Sequence, residues 1–215
     1  MMRTIGIGVF LSLAACAGTG GSGNGGTDTQ QVVEQPEIGI GCRTQSGSEA
    51  VSERKSPFDS TRVEVSGKVA QVCYSRPAAH GRTIFGSDTT GAAGAPLVPY
   101  GKLWRTGANE PTVLHLPFPA TVAGMALTPG SYSLYTVPGE TEWSLVINRS
   151  TSQWGHEARY TGEVAAQEVG RAPVPVERMD QHVESFTVRS EPAAAGADIL
   201  LEWERTRVRI PIRAQ

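Results

Sequence analysis

The densest group of side chains able to recognise a ligand lies in one loop-like stretch, KLWRTGANEPT, at residues 102–112. Arg105 offers a planar guanidinium with five N–H donors, which suits carboxylate and phosphate groups. Trp104 offers a flat face for stacking, and Asn109 and Glu110 add further donor and acceptor atoms. The stretch therefore predicts a binding site for a polar or anionic ligand.

The same residues also support a purely structural interpretation. Arg105 and Glu110 can pair with each other inside the loop, and Trp104 can close the end of a β-sandwich. Gly107 allows the backbone to turn tightly in either case. The spacing alone does not decide between a ligand site and a structural clamp.

Three more residues join the predicted site from other segments. Arg76 in YSRP and Arg82 in GRTIFG flank a loop that we expect at the same end of the fold, where converging arginines strengthen anion binding. Each of them can instead hold loop carbonyl groups. Trp154 in QWG is the predicted aromatic residue at the rim.

Signals for catalysis are sparse. The sequence contains no GxSxG, HExxH, P-loop or GxGxxG motif, and its four histidines lack the spacing of metal ligands. His115 alternates with apolar neighbours and is expected to be exposed. We therefore predict no metal and no cofactor, and a binding or scaffolding role is favoured over catalysis.

One enzymatic alternative remains, a hydrolase of envelope glycans with Glu110 as general acid or base. Such an enzyme needs two carboxylates about 5–10 Å apart across a cleft. Glu140, Glu142 and Asp180 are the possible partners of Glu110, and the spacing selects none of them.

The N-terminal sequence predicts where in the cell the protein is located. An apolar run at residues 5–13 is too short to span a bilayer, and it ends in LAAC, with small residues directly before Cys16. This resembles the lipobox of bacterial lipoproteins, which implies a signal peptide at residues 1–15 and lipidation of Cys16. An ordinary secretory signal is the alternative. Ala17 resembles an outer-membrane sorting signal if the host is a diderm bacterium, so we expect a lipid-anchored envelope protein.

The next segment, residues 16–60, is predicted to be a tether. Residues 17–31 are rich in Gly, Ser and Thr and cannot bury apolar surface. In an oxidising envelope Cys42 and Cys73 are expected to form a disulfide, with two unpaired thiols as the alternative. Since 19 basic residues face 21 acidic ones, nucleic acid is a poor candidate partner.

The rest of the chain, residues 61–215, alternates apolar and polar residues with period two between Gly- and Pro-rich turns. One hairpin is expected to turn at Ser66–Gly67, and the last two strands are expected to meet at a tight turn around Arg205–Thr206. Eight to ten antiparallel strands in an all-β sandwich or jelly-roll-like domain follow. The stripe of Arg205, Arg207 and Arg209 predicts cross-strand ion pairs with Glu202 and Glu204 on the neighbouring strand, or alternatively an anion-binding face.

Several motifs occur in a characteristic order: YSRPAAHGRTIFG, LVPYGKLWRTGANEPT, LTPGSYSLYTVPGETEWSLVIN and QWG. With the strands near the C-terminus, they resemble a bacterial envelope family known as domain of unknown function 2911, over residues 61–212. The resemblance implies a secreted or lipid-anchored β-rich domain and no agreed activity. An insertion near residues 87–95 departs from the usual pattern and is expected to be a surface loop.

Overall fold

The computed structural model describes residues 41–44, 51–88 and 94–215. The predicted signal peptide, the predicted lipidation site at Cys16 and the Gly-rich residues 17–31 lie outside the described residues, as does the middle of the predicted insertion. Among the described residues, no helix is both long and apolar enough to cross a membrane.

The described residues form eleven strands and three short helical segments. The strands are β1 Phe58–Val65, β2 Lys68–Ser75, β3 Phe85–Gly86, β4 Val98–Pro99, β5 Thr112–Leu116, β6 Ala120–Val122, β7 Met125–Leu127, β8 Gly130–Val137, β9 Glu142–Asn148, β10 Glu168–Ala193 and β11 Gly196–Ala214. The α-helix α1 spans Gly162–Ala165, and 3₁₀ turns span Val51–Glu53 and Glu157–Arg159.

Nine strands form one antiparallel sheet in the order β1-β2-β5-β8-β9-β10-β11-β6-β7, and β3 and β4 form a small parallel pair. The long β10 belongs to both halves of the large sheet, pairing with β9 through its first part and with β11 further on. The first half also reaches β10, since Thr61 Oγ1 donates to Val188 O at 2.7 Å and Ala78 bridges to Ser185. The predicted all-β, sandwich-like fold is confirmed.

The first hairpin follows the sequence pattern closely. β1 and β2 pair from Phe58 opposite Ser75 to Val65 opposite Lys68. Ser66 and Gly67 both have positive φ, at 52° and 78°, as a two-residue type I′ turn requires.

The predicted turn around Arg205–Thr206 is wrong, because β11 runs through it without reversing. Glu204 has a φ of 52°, and the pairing of β10 with β11 is irregular there. A bulge of this kind bends a strand but does not reverse the direction of the chain. Beyond the bend, Ile212 pairs with Val122 of β6. Residues 184–190, ESFTVRS, belong to the last part of the long strand β10 and form no strand of their own.

The core contains an aromatic cluster, formed by Phe85, Trp104, Trp143, Phe186 and Trp203, whose neighbouring ring centroids lie 5.0–6.0 Å apart. These rings come from separate segments of the chain. They bring the 102–112 stretch against the sheet and thereby position the candidate site.

The segment after β9 covers the other face of β8 and β9. Its helix α1 is capped by Thr161, whose side chain accepts from Val164 N–H, and Val164 is buried. Asn148 donates to Val164 O at 2.7 Å, and the rings of Tyr135 and Tyr160 lie 4.7 Å apart. This cover explains why both faces of these two strands are buried.

The predicted disulfide between Cys42 and Cys73 is confirmed, with a Cα–Cα distance of 5.7 Å. It joins residues 41–44 to β2, and both sulfur-bearing residues are buried. The bond therefore fixes a short piece of the segment before the domain against the face of the sheet.

Candidate functional site

A cavity of about 790 Å³ opens beside the 102–112 stretch, and we name it the basic cavity. Its floor includes Trp104 and Trp203, while Arg105 forms part of its wall. Further polar side chains of the lining are contributed by the segments before β1, after β2, after β4 and after β9; they are Lys55, His80, Arg82, Lys102, His156, Glu157 and Tyr160.

The backbone of the stretch is held tightly beside β8. Trp104 and Thr136 exchange backbone hydrogen bonds of 2.7 and 2.9 Å, and Trp104 Nε1 donates to Gly107 O at 3.0 Å. Thr106 and Asn109 have φ values of 56° and 59°, in the left-handed region. The loop is a rigid support for the side chains that it carries.

Trp104 contributes more to the core than to a stacking surface. Only 5% of it is exposed, and its ring packs against those of Phe186 and Trp203 at 5.2 and 5.9 Å. An edge of the indole therefore reaches the cavity, while most of the predicted stacking surface is covered by neighbouring rings.

Arg105 and Glu110 each pair with a residue outside the stretch, not with each other as considered above. Arg105 Nη1 lies 3.0 Å from Glu157 Oε1 and 3.3 Å from Gly155 O. Glu110 Oε2 accepts from Arg54 Nη1 at 2.7 Å, with both side chains almost fully buried. Arg105 lines the basic cavity, whereas Glu110 lies in the packing behind it.

Asn109 and Trp154 lie outside the set of residues that lines the cavity. Asn109 Nδ2 donates to Ser56 O and Ser75 Oγ, each at 3.3 Å, so it braces the loop. Trp154 is 39% exposed, and the guanidinium of Arg54 lies 5.8 Å from its ring centroid. Trp154 is thus exposed on a loop outside this lining, and its role at the rim of a ligand site stays a prediction.

The two predicted supporting arginines have different positions. Arg76 bonds to Asp59 at 3.3 Å and to Thr187 at 3.1 Å, which connects the first hairpin with β10. Arg82 does line the cavity, yet it also donates to Ala79 O at 2.9 Å and to Ala78 O at 2.7 Å. The alternative interpretation, that an arginine holds loop carbonyl groups, describes Arg82, whereas Arg76 contacts side chains of two strands.

Sequence reasoning missed four cationic or titratable residues of the cavity, namely Lys55, His80, Lys102 and His156. Lys102 begins the 102–112 stretch itself and His80 lies between Arg76 and Arg82, whereas Lys55 and His156 come from distant segments that no short motif links. Among the described residues of the lining, Glu157 is the single carboxylate. Cations gathered around a concave surface concentrate positive potential there.

Tyr160 adds a neutral hydroxyl to the wall. Its O–H donates to Glu168 at 2.5 Å, and Asn148 donates to its oxygen at 3.3 Å. Burial, together with the hydrogen bond to Glu168, raises the pKa of Tyr160 to about 12. The phenol therefore stays protonated at neutral pH and adds no negative charge to the cavity.

His115 lies elsewhere, on the face of β5 away from the core. The expectation that it is simply exposed is wrong, because it is partly buried and its Nδ1 lies 2.8 Å from Ser131 Oγ. The described residues contain no group of three or more His, Cys, Asp or Glu side chains arranged to hold a metal ion.

Comparison with known proteins gives one match. The family model described as "Protein of unknown function (DUF2911)" matches residues 56–212. Neither the curated proteins nor the solved structures contain a match to this chain.

Proposed function

The chain belongs to the DUF2911 family, whose members are described only as proteins of unknown function, and we propose that it is a non-catalytic module that binds a polar anionic ligand in the cell envelope. The observation that carries this proposal is the basic cavity, in which six cationic or titratable nitrogen-bearing side chains face one carboxylate.

The lysines make the strongest contribution to the argument. Arg82 and Arg105 already donate to loop carbonyls or to Glu157. Lys55 and Lys102 are exposed, and among the described residues neither has an ion-pair partner. Their ammonium groups are thus available to a ligand, while the arginines supply fixed donors nearby.

The size of the cavity suits a small molecule. Ligand pockets commonly enclose about 300–1,000 Å³, and this one measures about 790 Å³. The indole edges and Tyr160 give an apolar surface beside the cations. A sugar or envelope fragment that carries a phosphate or carboxylate fits this chemistry.

Anchoring at a membrane completes the proposal. A lipid-modified Cys16, followed by the predicted tether, would hold the domain near a bilayer, in the outer membrane if the host has one. Two or three acyl chains give stable attachment, whereas one chain gives only marginal binding.

The hydrolase alternative is less well supported. Its general acid or base, Glu110, is absent from the lining and contacts Arg54 at 2.7 Å. Glycoside hydrolysis needs a second carboxylate across the cleft, and the described lining holds Glu157 alone. The purely structural alternative predicts that the cavity binds nothing.

The test is calorimetric titration of the full chain with glucose 6-phosphate, inorganic phosphate and uncharged glucose. We expect saturable binding of the two anions and much weaker binding of glucose. Replacing Lys55 and Lys102 together by Ala should weaken anion binding at least ~10-fold, because hydrogen bonds to charged groups contribute about 1.5–3 kcal/mol each.

The matched control is Arg62→Ala, which removes an exposed cation from β1. It should leave binding unchanged, and melting curves should show that all variants fold. The proposal would be refuted if no probe bound, or if Arg62→Ala weakened anion binding as much as the double lysine variant. Either result would favour a structural role.

A further inference from the structure

The face of β2, β5 and β8 that points away from the core carries a second concave surface, which we name the outer-face groove. It measures about 350 Å³ and is lined by Gly41, Val69, Gln71, His115, Pro117 and Ser131, with Leu116 and Gly130. No charged side chain is found among the described residues of this lining if His115 is neutral, in contrast to the basic cavity.

The polar residues of the groove form one row across three strands. Gln71 lies opposite His115 in the β2–β5 register, and His115 lies opposite Ser131 in the β5–β8 register. Side chains alternate between the faces of a strand, so these three share the outer face while Val72, Leu114 and Tyr132 point into the core.

His115 is held in a fixed orientation within this row. Its Nδ1 bonds to Ser131 Oγ at 2.8 Å. Burial lowers the pKa of His115, which favours the neutral imidazole at physiological pH. A neutral ring bonded at Nδ1 has its second nitrogen, Nε2, left to donate or accept one further hydrogen bond.

Gln71 provides an independent signal. It is only 5% exposed, and its amide oxygen has no hydrogen-bond partner in the described part of the chain. A buried acceptor without a donor is costly and rare in folded proteins. A ligand hydroxyl in the groove would supply the missing donor.

The disulfide contributes the rim of the groove. Cys42 is bonded to Cys73 of β2, which places Gly41 over the His115 ring. A Cβ added to Gly41 would lie 3.3 Å from His115 Cγ, and the φ of Gly41 is +80°. Glycine at this position therefore keeps the rim close to the ring without filling the groove.

We propose that the outer-face groove binds a small neutral alcohol or phenol, independently of the anion site in the basic cavity. The hydroxyl donates to the Gln71 amide oxygen, and the apolar body of the molecule lies against Val69 and Pro117. Small-molecule sites commonly combine an apolar lining with a few placed polar groups in this way.

The experiment is a ligand-observed NMR titration of the full chain with two probes of matching shape, 4-methylphenol and toluene. We expect saturable binding of 4-methylphenol, with toluene at least ~5-fold weaker, which is the ratio that one net hydrogen bond provides. In Gln71→Leu the two probes should bind alike, because the amide acceptor is gone.

Two further variants locate the site. Val69→Trp fills the groove from its partly exposed wall and should abolish binding of both probes, whereas Lys102→Ala in the basic cavity should leave both unchanged. Circular dichroism checks that each variant is folded, and Val69→Leu serves as a milder replacement if the tryptophan variant is not. Three outcomes would overturn the proposal. They are an absence of saturable 4-methylphenol binding, equal affinities of the wild type for 4-methylphenol and toluene, and binding that persists in a folded Val69→Trp variant.

Discussion

Arginine–carboxylate contacts hold two regions of this molecule, and they differ mainly in burial. Behind the basic cavity, Arg54 and Glu110 meet at 2.7 Å with side chains that are 1% and 6% exposed. On the β10–β11 face, Arg209 is 32% exposed and contacts Glu177, Glu191 and Asp198 at 3.0–3.1 Å.

The β10–β11 region, whose arginines are partly exposed while Glu202 and Asp198 are buried, is also redundant. Glu202 is shared by Arg189 and Arg207, and Asp198 is shared by Arg209 and Arg213. The hydrogen bond that Arg209 donates to Glu177, followed by the one that it donates to Glu191, raises the pKa of Arg209 above its ordinary value. Arg207 and Arg209 therefore form cross-strand ion pairs as predicted, but with Glu177 of β10, because Glu202 lies on β11 itself. Loss of one contact leaves others in place.

The comparison teaches that the number of ion pairs is a poor guide to their importance. A buried charge that loses its partner stays in a low-dielectric surrounding, whereas an exposed one regains water. The buried contact behind the cavity should consequently matter more to folding than any one contact of the β10–β11 face.

The largest expected effect is that of Glu110→Gln. The variant removes the carboxylate that faces buried Arg54, and we expect the free energy of unfolding to fall by about 3 kcal/mol. Chemical denaturation monitored by tryptophan fluorescence measures it.

Glu157→Gln is the matched control, since its pair with Arg105 is far more exposed and should contribute under ~1 kcal/mol. The double variant Arg54→Met with Glu110→Leu should recover much of the lost stability, because it buries no charge. If Glu110→Gln unfolds like the wild type, burial does not distinguish the two regions.

A second variant, Gly155→Ala, separates loop docking from charge pairing. Gly155 N–H donates to Asn109 O at 3.0 Å, and an added Cβ would press on Asn109 O and Arg105 Cδ and lie 2.9 Å from Glu110 C. Overpacking of this kind costs about 1–3 kcal/mol, so the melting temperature should fall with every ion pair still present.

Gly162→Ala provides the control for the glycine change. It lies at the start of α1 with nothing within 4 Å of its added Cβ, and it should be neutral or slightly stabilising. Equal melting of the two alanine variants would mean that the 153–157 loop does not need its close approach to the 102–112 stretch.

Local sequence signals predicted the fold wherever one strand follows another through a recognisable turn. Ser66–Gly67 has the residue types that a type I′ turn requires, and its hairpin was placed correctly. Glu204 has no such signature, so a bend in β11 looked like a reversal. The burial of Asn148 could not be predicted from its own strand either, because it depends on the later segment that covers Asn148.

The candidate site was predictable only in the stretch that carries its own motif. Arg82, Trp104 and Arg105 do line the basic cavity. Lys55 lies in the predicted tether, and both it and His156 reach the cavity only through tertiary packing. Tertiary packing cannot be predicted from the local periodicity of a sequence. Arg54 was missed for the same reason, as its partner is 56 residues away in the sequence.

The smallest expected effect is that of Arg209→Ala on the exposed β10–β11 face. Exposed ion pairs contribute about 0–1 kcal/mol, and the neighbouring Arg213 still pairs with Asp198 at 3.0 Å, so the free energy of unfolding should change by less than ~1 kcal/mol. That small loss should shrink further when denaturation is repeated at ~1 M salt, where charges are screened beyond ~3 Å, while the loss in Glu110→Gln should persist. A loss of ~3 kcal/mol in Arg209→Ala that is insensitive to salt would contradict the comparison, since it would mean that the exposed network behaves as a buried one.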